Sequence, residues 1–442
     1  MIRGSLVLRS VTARRFISSG TKYTTLSNGI TVASETIPNA QHSSVGLYFS
    51  AGSRSEHPYN NGVSALTATV LSQQHNASAD GVVVSAQNGR EFNGIVAETT
   101  NDNIEAAGKL LSTIATNAED IVSKADFQFG KNFLTNQANA LEANPRSRVI
   151  SHLSATAYQG YSLGLPKLGT EESISNLDQQ DSLRHLSKHL VNDNIVISAA
   201  GSFDHDKLVN AIESNLKVAQ GVKPEKKPAS FLGSEVRMRD DTMPKAYISI
   251  AVHGEGLNSP DLYTAQVAAK IFGNFNIHSP KAHYKSSKLS SIVQEYNIVE
   301  KYEHFSKSLS DHGLWGFYAE IPDRFTIDDF VHFTLKQWNR LSISISEAEV
   351  ARAKAQVKTH LLRGLTHTKR VATHNARDIL AVGHQKSITE AFQKIDAITV
   401  ADVKKWGQNK VWDRDIVISG TGLIEDLLDY NRNRNEMAMM RW

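Results

Sequence analysis

No cysteine occurs in the 442 residues. Its absence excludes disulfides, thiolate nucleophiles, iron–sulfur ligation and Cys-type zinc sites, and leaves His, Asp and Glu as the usual metal ligands. No run of about 18 uncharged apolar residues is present, so no segment reads as a membrane span and any membrane association passes through partners. Walker loops, Rossmann glycine fingerprints and G-x-S-x-G elbows are missing as well. With 40% apolar and 21% charged residues the composition is that of a globular protein. Its length exceeds one ordinary core and suggests roughly two to three domains.

Acidic residues are missing before Glu35, whereas Arg3, Arg9, Arg14, Arg15 and Lys22 lie in a Ser/Thr-rich opening. That is the composition of a mitochondrial transit peptide; a disordered basic tail is the alternative. Cleavage within "RRFIS", after Arg15 or Phe16, removes four arginines and takes the formal charge from +3 to about −1. The basic balance then belongs to the leader. A folded body near zero charge, without an RNP, zinc-finger or helix-turn-helix pattern, gives no reason to expect a nucleic-acid partner.

What is present is a duplication. "NDNIVISAAGSFDHDKLVNAI", from Asn192, recurs as "DRDIVISGTGLIEDLLDY", from Asp413, so that Ile195 and Ile416 lie 221 positions apart. Each copy has a β-branched run, a small-residue turn and the start of an amphipathic helix. A fainter match joins "SSVGLYFSAGS" (Ser43–Ser53) to "YISIAVHGEG" (Tyr247–Gly256), where Val45, Leu47 and Phe49 alternate as Ile248, Ile250 and Val252 do. Long helices are expected at Thr100–Ala118 and Ser346–Leu365, the second with Ser346 as N-cap and Glu349 at the capping-box position. Between the halves, Val218–Glu235 is rich in lysine and proline and has linker composition. The expected architecture is α+β: two homologous α/β lobes, each a mainly antiparallel sheet backed by helices. The boundaries are a presequence at 1–20, a first lobe at 21–217, a linker at 218–234 and a second lobe at 235–442.

The histidines offer no convincing metal set. His185 and His189 share a helix face, but Arg184 and Lys188 flank them and a solvated face is expected. His360, His367 and His374 recur every seven residues, about 10 Å apart along a helix, too far to share one ion; a polar stripe facing solvent or a partner is expected. "NNGVSALTATVLSQQHN" (Asn60–Asn76) reads as a turn leading into a helix without a ligand before His75. "YNRNRNEMAMMRW" at the end suits either an adaptable contact surface or a helix packed on its own lobe.

Three stretches carry a family resemblance: "YFSAGSRSEHPYNNGVSALTATVLSQ" from Tyr48, "VISHLSATAYQGYSLGLPKLGTEESISNL" from Val149, and "VNDNIVISAAGSFDHDKLV" from Val191. They resemble the M16 (pitrilysin-like) peptidases, in the mitochondrial branch that holds the processing peptidase and the core proteins of ubiquinol–cytochrome c reductase. The resemblance runs from about Thr25 to the C-terminus and implies an M16/LuxS-metallohydrolase-like fold. "FLGSEVRMRDDTMPKAYISIAVHGE" and "EMAMMRW" point within the branch to the fungal core proteins.

Active members of the family carry His-x-x-Glu-His on the helix after the Asn-Gly turn and a Glu downstream. Aligned on Asn61-Gly62, those places hold Ala65, Ala68 and Thr69, with the distal one near Gln137. The resemblance therefore implies no catalytic residue, metal or cofactor. His75 lies roughly 15 Å along the helix from Ala65, and His57 precedes the turn, so neither replaces the missing ligands. Implied instead is a structural subunit of the cytochrome bc complex, peripheral on the matrix side of the inner membrane, in a hetero-oligomer with a second core subunit. The alternative is a subunit of the processing metallopeptidase. Against it, "IFGNFNIHSPKAHYKSSKLSSIVQEY" has one glycine where the substrate-binding partner of that enzyme carries a glycine-rich loop.

Overall fold

The computed structural model describes residues 19–73, 81–284 and 287–438. The expected cleavage site, His75 and Trp442 lie outside the described residues. Among the described residues the first sheet holds β1 (Ser19–Thr25), β2 (Thr31–Thr36), β3 (Ser43–Phe49), β4 (Val83–Gln87), β5 (Asn93–Thr99) and β6 (Ile195–Gly201). The second holds β7 (Ser234–Arg239), β8 (Ala246–Gly254), β9 (Asn274–Asn276), β10 (Lys301–Ser308), β11 (Gly313–Ile321) and β12 (Ile416–Gly422). Helices α1 (Val63–Gln73), α2 (Ile104–Thr116), α3 (Phe127–Ala143), α4 (Pro145–Ala157) and α5 (Gln179–His189) fall between β3 and β6. Helices α6 (Leu262–Phe272), α7 (Glu347–Gly364) and α8 (Thr368–Val382) fall between β8 and β12.

The orders β1-β2-β6-β3-β5-β4 and β7-β12-β8-β11-β10-β9 are two versions of one pattern. In each, the strand from the repeated motif returns from far along the chain. It pairs parallel with one early strand, β2 or β7, and antiparallel with the next, β3 or β8. Leu47 faces Ile197 across β3 and β6, and Ile250 faces Ile418 across β8 and β12, so the duplicated residues hold equivalent places. The two helix expectations hold to within a few residues at the termini: α2 starts after a short 3-10 turn, and α7 is capped by Ser346, whose Oγ accepts from Glu349 N in a reciprocal box.

Both faces of these strands are apolar, and period-two alternation explains where each face goes. Ile195, Ile197 and Ala199 join the core of the first lobe, as Ile416 and Ile418 join that of the second. The opposite faces are covered across the lobes. Val196 and Tyr48 pack on Ala376 and Leu380 of α8, and Ala200 on Val371 and Ala372. Val417, Ala251 and Leu314 pack on Leu153 and Ala157 of α4. Each half thus lends one helix to the other's sheet.

Polar contacts close the seam. Arg54, buried, donates in bidentate fashion to Asp311 at 2.6 and 2.7 Å, to Glu91 at 2.8 Å and to the carbonyl of Lys227. Glu91 in turn accepts from the N–H and Oγ of Ser310. The segment between the halves is therefore pinned: Lys227 Nζ donates to the carbonyl of Glu56, and Lys223 Nζ to that of Leu380. The expected linker composition is there, but the segment runs as an irregular strap rather than a free tether. In the C-terminal segment, Met437 is buried in the second core and Asn339 donates to the carbonyl of Glu436, so its described part packs on its own lobe.

Candidate functional site

The turn before α1 is built around a buried carboxylate. Glu56 accepts from the N–H groups of Gly62 and Ser64, both at 2.8 Å, and from Nδ2 of Asn61 at 2.7 Å. It so satisfies donors that the start of a helix leaves open. Burial pushes its carboxyl up to about 7, against the pull of those three donors and Lys227. Gly62 has φ +99°, and a Cβ there would lie 2.8 Å from the carbonyl of Leu168. Glycine is what lets the chain turn into the helix there.

From Val63 to Leu71 every residue of α1 is buried. Ala65 and Ala68 are 0% exposed and Thr69 is 1% exposed. The helix touches β4, β5, α3 and α5, and Gly130 of α3 lets Val70 and Leu66 approach closely. Gln137 is exposed on α3, one turn beyond the buried Leu134. His57 is exposed and belongs to the short Pro58–Asn60 turn.

The residues present do not fit the zinc that the family implies. Two methyl groups have no donor atom, a hydroxyl and a carboxamide are weak ligands, and a catalytic zinc requires about three of the imidazole or carboxylate kind. A carboxylate to deprotonate water is missing at position 68 too. Among the described residues no group of three or more His, Asp and Glu is arranged to hold an ion.

One histidine expectation is corrected outright and another in part. His185 and His189 are not on a solvated face: they are 8% and 4% exposed, with ring centroids 4.6 Å apart, in the inward stripe Ser182, His185, Leu186, His189. Burial pushes them down to about 3 and about 4, so both are neutral near pH 7. Their i, i+3, i+4, i+7 spacing with Leu186 was the signal that outweighs the flanking cations. His360 and His367 are exposed, as expected, but the three do not form one stripe, because α7 ends at Gly364 and His367 is the N-cap residue of α8. His360 and His374 line a cavity of about 800 Å3 between the lobes. Sequence reasoning did not locate this cavity, since its walls come from segments 35 to 391 of both halves.

Comparison with known proteins agrees with this geometry. Residues 31–171 match the family described as Insulinase (Peptidase family M16), and residues 176–357 match the Peptidase M16 inactive domain. A mitochondrial cytochrome b-c1 complex reductase subunit of Candida albicans is 68% identical over 442 residues, covering all of both chains. Cytochrome b-c1 complex subunit 1 of Saccharomyces cerevisiae is 43% identical, covering 95% of this chain and 94% of its own. A probable mitochondrial-processing peptidase subunit beta of Schizosaccharomyces pombe is 36% identical, covering 97% and 98%. A solved structure, Complex III2 from Candida albicans with Inz-5 bound, contains a chain that superposes with a TM-score of 0.93 at 68% identity, over 95% of this chain and 100% of that one. The chain belongs to the M16 peptidase family, in the company of its mitochondrial members.

Proposed function

We propose that the chain is a non-catalytic core subunit of the mitochondrial ubiquinol–cytochrome c reductase complex, where it supports assembly and stability during respiratory electron transfer. It sits peripherally on the matrix side of the inner membrane beside a second, related core subunit. A leader at 1–20 is removed on import, and the mature chain consists of lobes 21–217 and 235–442 joined by 218–234. No cofactor belongs to the chain, and electron transfer lies with other subunits of the complex.

One observation carries this reading: likeness to a b-c1 complex subunit extends over the entire chain; the places that we align with the zinc-peptidase motif hold Ala65, Ala68, Thr69 and Gln137. Among the described residues no helix is long and apolar enough to cross a membrane, which suits a peripheral place. The processing-peptidase alternative has support from relatives at 30–36% identity, well below the 68% and 43% of the complex subunits. Gentle solubilisation of mitochondrial membranes followed by native sizing tests the proposal. Co-migration with cytochrome b is expected; recovery only as a free matrix species overturns it. Stoichiometric zinc with chelator-sensitive cleavage of a presequence peptide would establish the alternative.

A further inference from the structure

A second, smaller cavity of about 170 Å3 lies between α5 and the turn before α1, with Lys227 on its wall. His185 and His189 line it, and both residues are more than nine-tenths buried. Nε2 of His185 and Nδ1 of His189 have no hydrogen bond among the described residues. A neutral imidazole carries one N–H donor and one acceptor, and leaving either unpaired in a recess is costly.

The two carboxylates on the wall are already taken. Both oxygens of Glu56 are used by Asn61, Gly62 and Ser64, and Asp181 accepts from Arg184 at 2.9 Å and from the N–H of Asp178 at 3.1 Å. Lys227 is tied in turn to the carbonyl of Glu56. Lys188, exposed beside the histidines, has no such partner among the described residues. Burial lowers both imidazoles; His189 and Lys188 add to it at His185, and Lys188 and Lys227 add to it at His189. The field of the neighbours at the two rings is thus positive.

We propose that this cavity binds a phosphate ion, held by the ring nitrogens of His185 and His189 and by the ammonium of Lys188. Hydrogen phosphate has both acceptor oxygens and a P–OH donor, so it pairs with a neutral imidazole in either tautomer. Its charge suits the field of Lys188 and Lys227, and hydrogen bonds to an ion are the stronger kind. A divalent cation in the same place would meet those lysines with no free carboxylate to offset them, and among the described residues no third ligand stands with the two histidines. At about 170 Å3 the cavity has room for one such ion with some water, and falls below the ~300 Å3 at which sites for drug-sized molecules begin. The inference does not depend on which assembly the chain joins.

The test is isothermal titration calorimetry of the full-length chain with sodium phosphate, against sodium chloride at equal ionic strength. Phosphate is expected to bind at one site per chain with an affinity of about millimolar or tighter, and chloride to give no saturable heat. His185→Phe and His189→Phe keep a ring but lose its nitrogens, and each should weaken phosphate about tenfold. Lys188→Gln should weaken it severalfold, while Lys109→Glu on the exposed face of α2 leaves it unchanged. Circular dichroism checks that the variants fold, and Lys188→Gln, at an exposed position, carries the test if a histidine variant does not. Absence of saturable phosphate heat overturns the proposal, as does parent affinity in the folded histidine variants or in Lys188→Gln. Binding of phosphatidic acid vesicles without binding of free phosphate would assign the cavity to a lipid headgroup, and retention of zinc in place of phosphate would assign it to a metal; either overturns the phosphate assignment.

Discussion

Replacing Arg54 with alanine is the most informative single perturbation of the lobe seam. Its side chain is 5% exposed and that of Glu91 12% exposed, whereas Asp311 is 46% exposed. Removing the guanidinium leaves Glu91 with only the N–H and Oγ of Ser310, and leaves the carbonyl of Lys227 without the two donors that Arg54 gives it. Loss of one partner from a buried ion pair costs about 3–5 kcal/mol. Asp311→Ala should cost only about 1 kcal/mol, because a half-exposed carboxylate is screened by solvent. Arg54→Lys should fall close to alanine, since an ammonium cannot span Asp311, Glu91 and Lys227 together. Urea unfolding of the full chain, followed by circular dichroism and by tryptophan fluorescence, measures these losses and shows whether one lobe opens before the other. Burial pushes the Asp311 carboxyl up, but Arg54 overcomes it and holds the group down at about 2. The contribution of this pair is thus present above the ordinary carboxylate range and fades as pH falls from about 4 toward 2. A cost of Arg54→Ala below about 0.5 kcal/mol, or equal costs at Arg54 and Asp311, would refute the reasoning.

The variant Ala65→His, Ala68→Glu, Thr69→His should lower the melting temperature and retain no stoichiometric zinc on metal analysis. Those places are fully buried, so larger polar side chains overpack them. Gly62→Ala should cost about 1–2 kcal/mol in urea unfolding, from φ +99° and the 2.8 Å approach to Leu168. His185, buried and lowered to about 3, binds its proton more weakly in the folded chain than in the unfolded one. Stability should therefore fall as pH drops below about 6.5, by up to about 2 kcal/mol per such histidine at pH 5, and His185→Gln should flatten that slope.

The sheets were legible from strictly local patterns. The β-branched repeat at Ile195 and Ile416, the alternation at Val45 and Ile248, and the Ser346–Glu349 box each belong to one element and need no tertiary knowledge. The exchange of α4 and α8 was not legible, because hydrophobic periodicity shows that a face is buried without showing against what. The assignment of the family's metal places to Ala65, Ala68 and Thr69 rests on alignment to a family motif, whereas the apolar run of α1 already read as a packing helix, and it is buried from Val63 to Leu71. His185 was misjudged because its charged neighbours weighed more than its phase with Leu186. Arg54 gave no signal, since its partners stand 37, 173 and 257 positions away.

The crossing of α8 onto the first sheet also orders events in time. Tyr48, Val96, Val196 and Ala200 form an apolar face that stays bare after β6 is complete, until Val382 emerges about 180 residues later. At ribosomal rates of about 5–20 residues per second that interval is tens of seconds. The first sheet therefore cannot reach its final packing until α8 has been made. A chain truncated before α8 lacks the cover for that face, so late truncations should damage the early half.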